Sequence, residues 1–347
     1  MEIAVTGSCV LSSSGETAIA LCENSALGET TKQQIDLQKY EKEIVSLNTG
    51  PRELYRIQKL LLIAFSKALH MAGLETELRL PERIGVFLGN SYGIEEFKTE
   101  FFRLYKKSVP ALTSPTLFPF TTANALASWL AIQTGAKGPS LTLVSGSTSS
   151  GEAIIAACEA LATNECDIAY VGGVSIIDNN LSDEFYTSGF RYESAGILIL
   201  EKMDNAKLSK RLPIAILKDH QSVTLSQEQM AKIKNGAPAS GVVDKEHRHF
   251  NNDCAEIVYL GNNLGDNIFS YSKNRSSTIK NDKVLLLSDI IGNAFDSAGV
   301  LGVALSVDLL NLSGGAKWRP FGSPQKSILY SNISSSGAAV MMLVNRA

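Results

Sequence analysis

A serine set in a tight turn of small residues is the first candidate for chemistry in this chain. The segment Lys137 to Val174 reads KGPSLTLVSGSTSSGEAIIAACEALATNECDIAYVGGV. Its apolar run Leu141–Val144 predicts a strand, and Ser145–Gly151 predicts a sharp turn with close backbone approach. Ile154, Ile155, Ala157, Cys158 and Leu161 recur at helical spacing over Glu152–Ala162, and a second buried strand covers Asp167–Gly172. Ser147 therefore sits at or near a helix start, where free N–H groups and the positive end of the helix dipole stabilise a thiolate or an oxyanion. A cysteine is well served there, because its reference pKa of about 8.5 needs only a modest depression. A serine hydroxyl needs an adjacent general base, which the dipole does not supply. The residues alone thus read Ser147 first as a helix cap in a polar turn and second as a nucleophile.

His247 and His249 are a second candidate pair. Their i, i+2 spacing suits metal binding from an extended segment, yet no third ligand is suggested, and two histidines in a charged stretch read as exposed. No metal is expected.

The 347 residues allow two typical domains or one large duplicated one, and 44% hydrophobic residues support a substantial core. A formal charge of -3 gives no electrostatic reason to expect nucleic acid or an anionic membrane as a partner. The basic stretch Lys202, Lys207, Lys210, Arg211 is interrupted by Asp204 and followed by Pro213, and reads as a solvated loop. No signal peptide is evident at the N-terminus, and no apolar run reaches the ~18–20 residues that span a bilayer. Cys9, Cys22, Cys158, Cys166 and Cys254 are odd in number and lack metal-site spacing, which reads as reduced thiols in a cytoplasmic protein.

Strands and helices alternate around the turn. Strands are expected at Glu2–Thr6, Ile84–Leu88, Ala195–Glu201, Ile214–Asp219, Lys283–Ser288, Ser327–Ser331 and Ala338–Val344. Helices are expected at Pro51–Gly73, with proline at its start and glycine at its end, and at Ile94–Tyr105, Thr121–Gln133 and Ser297–Leu310. Buried strands separated by helices imply a mixed sheet covered on both faces.

The Ser147 turn resembles the nucleophile elbow of the β-ketoacyl synthases. Gly85-Val-Phe-Leu-Gly, Asn124 with its following helix, Lys137-Gly-Pro-Ser, Asp167–Gly173, Ala195–Glu201, Asn252-Asp253 with Glu256, Gly292 with Ser297-Ala298-Gly299, and Ser331-Asn332 all fall in that family's order. The resemblance covers about 340 residues and implies an α/β class protein with the thiolase-like, duplicated αβαβα five-layer fold. Residues 1–201 would form the N-terminal half and 202–347 the C-terminal half of one compact unit. The departures concern chemistry. Ser147 stands where the family carries its cysteine. In Ser288-Asp-Ile-Ile-Gly292-Asn293, Ser288 replaces the family's lysine and Asn293 its histidine. The second histidine motif is replaced by Lys245–Asp253, and the terminal phenylalanine gate by Ser336. Parts of such a site act as a unit, so their joint loss argues against condensation and leaves no catalytic residue expected.

A member of this superfamily that keeps the fold and loses the cysteine is similar to the chain length factor of type II polyketide synthases. The resemblance implies a heterodimer with an active ketosynthase, and an acyl carrier protein that delivers a phosphopantetheine-linked acyl chain to that partner; no cofactor of its own is implied. It also implies that bulky side chains of this subunit close the partner's acyl tunnel and set polyketide length. Phe118, Phe120, Asn124 and Trp129 are the tunnel and interface candidates, against an alternative of ordinary core packing. Other readings remain: an acyltransferase or hydrolase using Ser147 with His247 or His249, a dehydratase-like enzyme using Asp253, Glu256 and Asp289, or a scaffold that only solubilises a ketosynthase.

Overall fold

The computed structural model describes residues 2–12, 16–20, 34–47, 54–74, 80–91, 93–107, 115, 117–176, 193–234, 255–260, 284–287, 295–312, 325–334 and 338–347. In chain order these form β1 (Ile3–Ser12), α1 (Glu41–Leu47), α2 (Arg56–Ala72), β2 (Ile84–Gly89), α3 (Glu95–Lys107), α4 (Ala125–Thr134), β3 (Ser140–Leu143), α5 (Ser149–Ala162), β4 (Ile168–Ser175) and β5 (Ser194–Lys202). There follow α6 (Met203–Leu208), β6 (Ala215–Thr224), α7 (Gln227–Lys234), β7 (Ala255–Leu260), β8 (Val284–Leu286), α8 (Ala298–Leu310), β9 (Ser327–Ile333) and β10 (Ala338–Arg346).

Hydrogen bonding links the strands in the order β3-β2-β4-β5-β1-β6-β10-β9-β7-β8. Ranked within its own set of five, each half runs third, second, fourth, fifth, first from its outer edge to the middle. Strand sense repeats as well. The second strand is parallel to the third and fourth, and the fifth is antiparallel to the fourth and first. The halves meet where Ile3–Val5 pairs antiparallel with Leu217–Ala215. Strand order and sense together are those of a duplicated fold, and the mixed α/β class is the expected one.

Burial explains why the central strands are apolar throughout. On β4, Ala169 and Val171 enter one core while Tyr170 and Val174 enter another; on β5, Leu198 and Leu200 oppose Ile197 and Ile199 in the same way. The first core is built around α5 and α8, which pack on each other between the two halves. The second lies under α2 and α4. Cys158 and Cys166 are buried in the first core, and burial pushes their thiols up to about 12 and about 11. Cys9, in the second, is likewise pushed up to about 12, so all three are inert packing groups.

Several boundaries move for local reasons. The helix expected from Pro51 begins at Arg56, after Tyr55 takes an extended backbone and its N–H is satisfied by the Gln58 side chain at 3.0 Å. It ends as expected, at Gly73 with φ 66°. β7 is an additional strand between Asp253 and the following segment. Arg211 is not solvated: its guanidinium is paired with the fully buried Glu201, which also accepts the Thr6 hydroxyl at 2.8 Å. Lys207 and Lys210 are exposed, as expected of a loop. Among the described residues no helix is long and apolar enough to cross a membrane.

Asp308, near the end of α8, is a partly buried carboxylate whose Oδ2 accepts the N–H groups of Ala18 at 3.1 Å and Ile19 at 3.4 Å. Desolvation outweighs those bonds and raises its pKa from 3.8 to about 6. The folded state therefore holds this proton more tightly than the unfolded chain, and the ionised group costs stability increasingly as pH rises from 3.8 to about 6. Asp308→Asn should raise the unfolding free energy at pH 7.5 by roughly 1–3 kcal/mol in urea titrations, with the gain gone near pH 3.5. An equal effect at both pH values would contradict this.

Candidate functional site

The elbow lies at the C-terminal ends of the parallel strands β2, β3 and β4. After β3 the chain passes through Gly146, at φ 60°, and a short 3-10 turn over Gly146–Thr148 before α5 begins at Ser149. Gly146 supplies a left-handed conformation that a side chain would strain. The turn is closed by its own hydroxyls: Ser149 Oγ donates to the Gly146 carbonyl at 2.6 Å and accepts the Ser145 N–H at 2.9 Å, and Thr148 Oγ1 donates to the Ser145 carbonyl at 2.9 Å. Ser91, in the loop after β2, accepts the Gly146 N–H at 2.9 Å and lies 2.7 Å from Ser149 Oγ. From the other half of the molecule, Asn332 Nδ2 on β9 donates to the Ser147 carbonyl at 2.7 Å.

Every one of these bonds holds the backbone of the turn, and none engages the Ser147 hydroxyl. Ser147 is half-buried, and no described residue hydrogen-bonds its Oγ. It is not the helix cap of the first expectation, because α5 starts three residues earlier than Glu152 and Thr148 takes the capping position. The described histidines lie elsewhere, His70 in the last turn of α2 and His220 on β6, where burial lowers its pKa. Among the described residues no cluster of His, Cys, Asp and Glu could hold a metal ion.

Ser288, Asp289, Asn293, His247, His249 and Asp253 lie outside the described residues, as does Ser336; Glu256 is on β7. The four tunnel candidates divide. Trp129 is 7% exposed in the core under α4, and Phe120 is half-buried and stacked on Phe97 at 5.3 Å. Phe118 is 58% exposed, its ring 5.6 Å from Phe101 of α3, and Asn124 is exposed just before α4. Beside them β3 is the outer strand of its half, paired among the described residues only with β2; Leu141 on it is 45% exposed and Val144, directly after it, 58%. Ile132 of α4, which packs against β3, and Phe102 of α3 are exposed as well. Sequence reasoning missed Ser91 and Ser149 as elbow-forming groups; the small polar residues directly after Gly89, at the end of a neighbouring parallel strand, were the available signal.

Residues 4–190 match the family described as Beta-ketoacyl synthase, N-terminal domain. The chain belongs to that family. Polyketide synthase GfsE from Streptomyces halstedii is 25% identical to this ketoacyl synthase relative over 290 residues, 73% of the chain but 7% of GfsE. Pikromycin polyketide synthase component PikAIII from Streptomyces venezuelae is 25% identical over 299 residues, 75% of the chain and 18% of that protein. The chain thus spans less than a fifth of either relative. Two solved structures align over 100% of this chain and 99% of their own, both with a TM-score of 0.73. One is a type II PKS acyl-carrier protein in complex with its ketosynthase bound to the hexaketide, at 17% identity. The other is the ishigamide ketosynthase/chain length factor, at 15% identity. These likenesses show the thiolase-like fold.

The elbow geometry predicts what a cysteine would become there. In Ser147→Cys, the thiol should be alkylated by iodoacetamide at neutral pH, with a labelling midpoint below the ordinary value of about 8.5 and well before Cys9, Cys158 and Cys166. Peptide mapping by mass spectrometry reads this directly. A midpoint at or above 8.5 would show that the helix start exerts no such field on position 147.

Proposed function

We propose that this chain is a non-catalytic ketosynthase-like subunit, a chain length factor that pairs with an active ketosynthase in a type II polyketide synthase. The observation that carries this reading is the elbow: a turn held by five side-chain hydrogen bonds to its backbone presents a serine to which no described base is bonded. The backbone frame of an acyl-transfer site is retained, while among the described residues no group stands ready to activate its hydroxyl. A frame kept without its chemistry has a use if a second subunit supplies the chemistry.

The surface supports that division of labour. An outer strand with apolar side chains and unpaired backbone groups is a template for pairing with another chain. Leu141 on β3 and Val144 directly after it are exposed apolar side chains suited to a large obligate interface, and the exposed Ile132 lies on α4, which packs against β3. In this reading the partner is a ketosynthase with an intact nucleophile, a carrier protein delivers its phosphopantetheine-linked acyl chain to that partner, and this chain needs no cofactor or metal. Phe118 is the favoured gate among the four candidates because its ring is exposed, whereas Trp129 is committed to the core. The complex is placed in the cytoplasm, and residues 1–201 and 202–347 act as halves of one unit.

Co-expression with the cognate ketosynthase should give one heterodimer on size exclusion. Leu141→Arg should weaken it at least a hundredfold, since an unpaired charge would be buried at the seam. Two separate well-behaved monomers from the unmodified pair would overturn the proposal. Within the complex, Phe118→Ala should shift products to longer chains at broadly retained turnover and unchanged melting temperature. Trp129→Ala should instead cost about 3–5 kcal/mol of stability and lower all products together. Unchanged product length in Phe118→Ala with the complex intact would remove Phe118 as a gate.

A further inference from the structure

At the ends of β2 and β4 opposite the elbow, the surface holds a cavity of about 210 Å³. Its walls include Leu74, Ile84, Ile168 and Leu208, and two arginines. Both guanidiniums are neutralised, Arg83 by Asp167 at 2.7 Å and Arg211 by the buried Glu201. The lining is therefore mixed, with its charge internally balanced, and Leu74, Ile84, Ile168 and Leu208 give it an apolar side with room for an aliphatic side chain.

The rim differs from the floor. Leu80 and Leu208, which line the cavity, are 58% and 83% exposed, and Leu212, four residues after Leu208, is 85% exposed, so large aliphatic side chains stand in water here. Lys207 directly precedes Leu208 and Lys210 stands between Leu208 and Leu212; both lysines are exposed, and neither forms an ion pair with a described residue, Asp204 included. The turn that carries them is rigid. The Lys210 N–H donates to the Lys207 carbonyl at 3.0 Å and the Arg211 N–H to the Ala206 carbonyl at 2.9 Å, closing α6 in a double-bonded cap. Such a cap takes glycine at the left-handed position, yet here Lys210 holds φ 56°. Strained backbone of this kind concentrates where a side chain is held for use.

We propose that this rim and cavity dock an acidic amphipathic α-helix of another protein, with one aliphatic side chain seated in the cavity and its carboxylates facing Lys207 and Lys210. The two unpaired lysines select an anionic partner, and the flanking leucines together with the concave floor select a helix with an apolar stripe. An anionic bilayer is the poorer fit, because it is met by long amphipathic faces with many basic residues rather than by one turn over a cavity. The site is separate from β3 and independent of the proposed subunit pairing.

Fluorescence anisotropy of the full chain with a labelled acidic Leu/Glu/Ala helical peptide tests this. Binding should be saturable and weakened by salt, and a peptide of the same composition with scattered leucines should bind at least tenfold more weakly. The exposed double variants Lys207→Glu with Lys210→Glu, and Leu208→Ser with Leu212→Ser, should each lose at least tenfold in affinity at an unchanged melting temperature. Lys210→Gly, which keeps the cap and loses the charge, should lose affinity while melting no lower. Absent saturable binding, equal binding of the scattered peptide, or affinity untouched by the lysine and leucine variants would overturn the proposal. So would lysine-dependent binding to phosphatidylglycerol vesicles in preference to the peptide.

Discussion

The contact between the starts of the two central helices is the constraint on which the fold and the elbow both depend. Ser150, in the first turn of α5, accepts the N–H groups of Gly299 at 2.9 Å and Val300 at 3.3 Å, so one half of the molecule caps the helix of the other. The approach requires a missing side chain, because a Cβ on Gly299 would lie 2.2 Å from the Gly151 nitrogen. Tyr330 then fixes the same turn by donating to the Ala298 carbonyl at 2.7 Å. With these starts locked, the turn before α5 has nowhere to move. Ser147 is thereby held in place by a buried arrangement that does not involve its own hydroxyl.

This arrangement separates scaffold from chemistry in a way that makes a catalytically silent relative physically sensible. The bonds that shape the elbow come from Ser91, Thr148, Ser149 and Asn332, all acting on backbone atoms. Replacing the nucleophile removes none of them. A chain can therefore lose acyl chemistry while keeping β3, which leads into the elbow, and the aromatic cluster of Phe97, Phe101, Phe118 and Phe120. That cluster grades from the stacked, buried Phe97 to the exposed Phe118.

Much of this was legible in the residues. The run Lys137–Val174 announced strand, turn, helix and strand because its apolar periods change sharply across a stretch of glycine and serine. The start of α5 was not, since Ser149, Ser150 and Gly151 have poor helix propensity and are held by packing on the start of α8, which no local window contains. Arg211 was misread for the same reason, its partner Glu201 lying ten residues back on another element. β7 was missed because Ala255–Leu260 follows a charged stretch and contains Glu256, while its pairing with β9 joins residues some seventy positions apart. Trp129 and Phe118 looked alike as aromatic residues near one helix, and only burial separates them.

The central claim is that Ser147 frames an acyl-transfer site without performing acyl transfer. It is tested most directly by incubating the co-purified heterodimer with acyl-loaded carrier protein and mapping the acyl group by peptide mass spectrometry. The account predicts the group on the partner's cysteine and none on Ser147. An acyl adduct on Ser147, lost in Ser147→Ala, would contradict it.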